Sequence, residues 1–164
     1  MAIELTVEDP RWRGLEALVD RAAQAVFHRF DLDADLCEVS VLACDDAHIA
    51  ALNAEFREKP SPTNVLSWPA EDLSPEAAGD IPDHPQPDFT GEIALGDIAI
   101  SFDTCTREAA EAGKPMDDHV THLIIHGLLH LLGYDHIRDP DATLMEGLEV
   151  EILGKMGIDN PYIV

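Results

Sequence analysis

The chain has 164 residues, 46% of them hydrophobic, and its 33 Asp and Glu against 10 Lys and Arg give a formal charge of −23. That length and apolar content suit one domain over residues 1–164 with its own core and exclude a disordered chain, while no stretch approaches the ~18 consecutive apolar residues of a membrane span. The charge opposes nonspecific nucleic-acid binding, which rests on Lys and Arg meeting phosphate, but leaves room for a local basic or metal-centred cleft because charges beyond roughly 8 Å are largely screened.

The start MAIELTVEDP lacks the basic flank and apolar core of a secretory signal, which points to the cytoplasm. IELTVED (3–9) alternates like a half-buried strand, and Pro10 is placed to open a helix running to about Phe30. LCEVSVLAC (36–44) reads as a second strand. Asp45 suits the N-cap of DDAHIAALNAEFR, whose Ile49, Leu52 and Phe56 share one helical face. NVLSW (64–68) is a short strand ended by Pro69.

Residues 70–90, AEDLSPEAAGDIPDHPQPDFT, carry four prolines and many acids and read as a long surface loop with a solvated His84. GEIALGDIAIS (91–101) is a strand or a tight hairpin. FDTCTREAAEAG predicts a helix closed by Gly113, MDDHVTHLIIHGLLHLLG a longer one closed by Gly133, and DATLMEGLEVEILGKMG the last. The expected fold is α/β of the α+β kind, a mixed sheet of about four strands packed with about five helices. Cys37, Cys44 and Cys105 are odd in number and form no CxxC, so they read as small buried residues. No phosphate-binding glycine loop is present.

The stretch HGLLHLLGYDH (126–136) carries the chemistry. At 3.6 residues per turn His126 and His130 stand one above the other, and Gly133 permits the left-handed turn that brings His136 back toward them. Three neutral imidazoles with an open fourth position are the donor set of a catalytic zinc, and burying three such rings without a partner is costly. The spacing HxxxHxxGxxH is that of metzincin proteases, except that their general-base glutamate is replaced by Gly127. A zinc could still activate water by lowering its pKa toward ~7. His119 and His122 lie within about 80° of the same helix side; His122 suits a pocket wall and His119 an exposed place. Asp135 could orient an imidazole or cap the turn.

HLIIHGLLHLLGYDH (122–136) resembles the signature HLxxHGxLHLxGYDH of the YbeY-type endoribonucleases, the rRNA maturation factors. LNAEFREKPSPTNVLSWP (52–69), LGDIAIS (95–101), and MEGLEVEIL with MGIDNPY (145–162) are similar too. The resemblance implies a bacterial, zinc-dependent enzyme with one zinc per chain, cutting single-stranded RNA in rRNA precursors, chiefly at the 3′ end of the 16S species, and serving ribosome quality control beside ribosomal or ribosome-associated proteins. It implies His126, His130 and His136 as zinc ligands and Arg57 as a functional arginine. Two departures stand out: Asn64 replaces the aspartate of the family's TDVLSF, and the 70–90 loop is longer than its usual connection.

Arg57 could grip a phosphate through its planar fork, with Lys59, Arg107, Lys114 and Arg138 as candidates for a basic rim. Two other readings stand beside the nuclease: another zinc hydrolase, such as a peptidase, opposed by Gly127, and a ribosome-associated binding factor whose metal holds the fold.

Overall fold

The apolar runs CEVSVLAC and IALGDIAIS become the two central strands of one mixed sheet, in a computed structural model that describes residues 2–162. In chain order the elements are β1 (Ala2–Val7), α1 (Leu15–Arg29), β2 (Cys37–Cys44), α2 (Asp46–Arg57), β3 (Val65–Pro69), β4 (Ile93–Ser101), α3 (Phe102–Ala112), α4 (Met116–Leu131) and α5 (Asp139–Lys155). The sheet order is β1-β2-β4-β3, with β3 antiparallel to β4 and the other pairs parallel. This is the expected α+β arrangement of four strands and five helices.

Side chains on the two sheet faces alternate, as strand geometry requires. Ile98 and Ile100 join the main core beneath α1, α4 and α5, while Ala99 points the other way into a small cluster with Cys44, Leu66 and Ile49 of α2. All three cysteines are buried free thiols.

Three local expectations change. The first helix begins at Leu15 rather than Pro10: the Asp9 carboxylate accepts the Arg11 backbone N–H, the Trp12 indole donates to the Cys44 carbonyl, and Gly14 is left-handed, so residues 10–14 form a turn. Residues 91–101 hold no hairpin, because β4 pairs on both sides and a register shift opposite Glu38 and Val39 takes up the irregularity at Gly96. On α2 the inward stripe is rotated from that expected. Ile49 and Asn53 are buried, whereas Phe56 is 55% exposed and meets Trp68 edge to face.

The 70–90 segment contains no helix or strand, and His84 is exposed, but the loop is anchored. Leu73 is buried, the Gly79 N–H donates to Asp141, and Arg138 donates to the Glu76 and Pro75 carbonyls. Among the described residues no helix is long and apolar enough to cross a membrane.

Candidate metal centre

Helix α4 runs through the core, with Val120, Ile124, Ile125, Leu128, Leu129 and Leu131 buried. Its remaining stripe carries the histidines. Gly127 faces the sheet: a Cβ there would lie 3.1 Å from Ile98 Cδ1, so helix and strand approach too closely for a larger residue without a shift. After Leu131 the chain turns at Gly133, whose φ of +101° and contact with the Leu73 backbone exclude a side chain. This turn delivers His136.

His126, His130 and His136 converge, each offering one ligand nitrogen within 4.8 Å of the others. His126 and His130 are partly buried and His136 is exposed. His126 Nδ1 lies 3.0 Å from Glu149 Oε1, and His130 Nδ1 lies 2.9 Å from the Tyr134 carbonyl. A carboxylate or a carbonyl can only accept, so both Nδ1 atoms carry a hydrogen, and in the neutral rings this leaves both Nε2 atoms as the ligand atoms. Those Nε2 atoms stand 3.0 Å apart.

In the neutral rings two lone pairs that close repel each other, and either a shared proton or a metal ion between them relieves this. Zinc bonded tetrahedrally to two nitrogens at ~2.0–2.1 Å holds them at roughly 3.3 Å, close to the separation observed. Burial, reinforced by His126 and His136, pushes the His130 pKa down to about 4, so this ring is neutral and ligand-competent at neutral pH. The three residues therefore fit a metal of this kind.

Glu149 is a residue of this site that sequence reasoning missed. Burial would push its carboxyl up, but the hydrogen bonds donated by His122, His126 and the Tyr162 hydroxyl outweigh this and hold it well below its usual range. His122 Nε2 is 2.8 Å and the Tyr162 hydroxyl 2.8 Å from its two oxygens. Its signal was legible: Met145, Leu148, Glu149, Ile152 and Leu153 form one inward helical stripe, with a carboxylate at an otherwise apolar position. Tyr162 reaches it from beyond α5, where Lys114 Nζ donates to the Pro161 carbonyl.

The other candidates sort clearly. Arg57, exposed at the end of α2, lines the groove with Asn64, Ser67, His122, the three clustered histidines and Tyr162. His122 is both pocket wall and hydrogen-bonded packing residue. His119 is not exposed as expected; its side chain is only 13% accessible and meets Glu108 at 3.0 Å. Asp135 caps the turn, accepting the His136 N–H, while imidazole orientation falls to Glu149 and the Tyr134 carbonyl. The basic rim does not form. Lys59, Arg107, Lys114 and Arg138 do not line the groove; Arg107 turns toward Asp46, Lys114 to Pro161, and Arg138 to Asp141 and the loop.

Asn64 donates through Nδ2 to Glu108 at 3.0 Å and accepts the Val65 N–H. An aspartate there would set two carboxylates against each other. The amide is thus matched to Glu108.

Comparison with known proteins identifies the family of this chain. Residues 4–157 match the family model described as Endoribonuclease YbeY. The chain is 70% identical over 162 residues to Endoribonuclease YbeY of Ruegeria pomeroyi, covering 99% of this chain and 98% of that one. It is 57% identical over 162 residues to the protein of the same name in Dinoroseobacter shibae, covering 98% and 90%. The fold is similar to the solution structure of TM1509 from Thermotoga maritima, with a TM-score of 0.57, 19% identity and 99% of each chain covered.

Proposed function

The chain belongs to the Endoribonuclease YbeY family, and we propose that it is a zinc-dependent, single-strand-specific endoribonuclease that matures the 3′ end of 16S rRNA and serves ribosome quality control in the cytoplasm. The observation that carries the zinc reading is the convergence of His126, His130 and His136, whose ligand nitrogens lie within 4.8 Å of one another, with Arg57 on the same groove.

Zinc held by His126, His130 and His136 supplies a Lewis acid for a phosphoryl oxygen and lowers the pKa of water toward ~7. The chain's own groups do the rest. Arg57 offers a planar fork to a phosphate as charge grows on its oxygens. The open groove admits an extended strand, and Phe56 and Trp68 at its edge offer aromatic surface to unpaired bases.

The peptidase reading is opposed by packing. Metzincins carry their proton-moving glutamate where this chain has Gly127, and Ile98 occupies the space next to that position. Arg57 is the cation lining the groove, against a chain charge of −23. Nonspecific RNA affinity is therefore low, and ribosomal or ribosome-associated proteins supply targeting.

The deciding experiment loads the protein with zinc, measures metal content, and incubates wild type and His130→Ala with short single-stranded RNA, duplex RNA and casein. Cleavage of single-stranded RNA by wild type, lost with the metal in His130→Ala, is expected. Casein cleavage without RNA cleavage would move the chain to the peptidases. Ribosome binding retained by a folded His130→Ala, with no RNA cleavage by wild type, would leave a binding factor.

A further inference from the structure

We propose that Glu149 is the positioning residue of the metal centre, fixing the tautomer and ring angle of His126 so that its Nε2 faces the point shared with His130 and His136. The inference rests on the zinc reading above and is independent of the substrate.

Glu149 is fully buried, yet its neighbours on the inward stripe of α5 are Met145, Leu148, Ile152 and Leu153. An ionised carboxylate in such a place costs several kcal/mol of desolvation, and an apolar side chain would pack there without that cost. The hydrogen bonds it accepts offset that cost, and they come from groups that line the groove. What Glu149 does is accept from three groups at once. Oε1 takes His126 Nδ1 at 3.0 Å and His122 Nε2 at 2.8 Å, and Oε2 takes the Tyr162 hydroxyl at 2.8 Å.

This set leaves His126 one orientation. An imidazole ring rotates easily about its last torsion and can carry its hydrogen on either nitrogen. The carboxylate stops both freedoms, and its charge makes the opposite nitrogen a stronger donor toward a metal. His130 has its equivalent in the Tyr134 carbonyl, a neutral acceptor belonging to the turn that carries His136. His126 lies mid-helix, where its own backbone cannot reach the ring, so a second helix must supply the acceptor. His122 and Tyr162 then occupy two further acceptor sites and keep the carboxylate from swinging away. Tyr162 is brought there by the chain beyond α5, pinned where Lys114 Nζ donates to the Pro161 carbonyl at 3.0 Å.

The test uses the full chain, stripped of metal. Wild type, Glu149→Gln and Glu149→Ala are titrated with Zn²⁺ in competition with a chromophoric chelator, and with Co²⁺ while its d–d absorption is recorded. Glutamine keeps an oxygen acceptor for both rings but removes the charge, so Glu149→Gln should retain the wild-type circular dichroism and Co²⁺ band shape. Its zinc affinity should fall by roughly 10- to 100-fold. Glu149→Ala frees the ring and should shift the Co²⁺ bands as well. Zinc affinity in folded Glu149→Gln within about twofold of wild type overturns the proposal; if Glu149→Ala fails to fold, the glutamine variant alone decides. Wild type that binds zinc tightly but cuts no RNA would remove the nuclease reading and leave this one standing.

Discussion

His126 Nε2 and His130 Nε2 face each other across 3.0 Å, and each ring's other nitrogen is already committed as a donor. A metal ion or a shared proton between them relieves the repulsion. Purified protein should therefore bind about one zinc per chain, and saturating zinc at 100 times its Kd should stabilise the fold by ~2.7 kcal/mol. Metal analysis and thermal melting with and without a chelator measure both. Equal zinc content in wild type and His130→Ala would falsify the assignment.

Acid should unload the site and weaken the empty fold. His130 titrates near 4 in the folded chain and near 6.5 when unfolded, its depression caused by burial and by His126 and His136. Between those values the unfolded chain takes up a proton that the folded chain refuses, so this contribution is complete above pH ~6.5 and is lost as pH falls toward 4. Glu149, held well below its usual range, adds a loss of the same sign below its ordinary 4.5. Chelated wild type should accordingly lose melting temperature relative to His130→Asn on going from pH 7 to 4.5. A difference that stays flat across that range would contradict the buried, neutral imidazole.

Arg57 lies on the groove but cannot ligate a metal, since guanidinium has no acceptor. Arg57→Ala should keep its zinc and its melting temperature while losing roughly 10²- to 10³-fold in RNA cleavage. Lysine should recover only part, a point charge standing in for a bidentate fork. Wild-type cleavage by Arg57→Ala would make it an ordinary surface arginine.

Asn64→Asp tests the amide that replaces the family's acid. The new carboxylate would face Glu108 where Nδ2 now donates at 3.0 Å. Losing that hydrogen bond and gaining repulsion should cost about 1 kcal/mol, or a few degrees in melting temperature. Glu108→Gln should restore most of it in the double variant. Additive losses in that cycle would show that the two side chains do not interact. RNA cleavage by folded Asn64→Asp should change little, because the amide already supplies the acceptor for Val65; a gain above roughly tenfold would instead assign the family's acid a part in the chemistry.

Gly127→Ala adds one methyl 3.1 Å from Ile98 Cδ1, inside a packed helix–strand contact. The cost of overpacking should exceed alanine's helix preference, giving a net loss of about 1 kcal/mol by chemical denaturation. Gly127→Glu should be worse, and casein should remain uncut. A stabilised Gly127→Ala would mean that α4 can move away from the sheet freely.

Much of the fold was legible because it rests on local rules. The order of strands and helices, the Asp45 cap and the Gly113 stop follow from periodicity and terminal residues, and all appear. The start of α1 was misplaced because proline marks a permitted first turn, whereas Gly14, Asp9 and a Trp12 bond to a carbonyl 32 residues away decide where the helix begins.

For the site, the sequence by itself determined the three histidines. Spacings of four along a helix and six across a glycine turn are short-range geometry, and they bring His126, His130 and His136 together whatever surrounds them. Tertiary structure decided which way the rings face. Glu149 is 23 residues from His126, Tyr162 is 13 further on, and Arg57 ends α2, which lies between β2 and β3 in the chain. It also dispersed the basic rim, since Arg107, Lys114 and Arg138 find nearer acceptors than the groove. Hydrogen bonds and charge pairs act over a few ångströms of space, and only the packing of α5 and the returning chain end against α4 sets those distances.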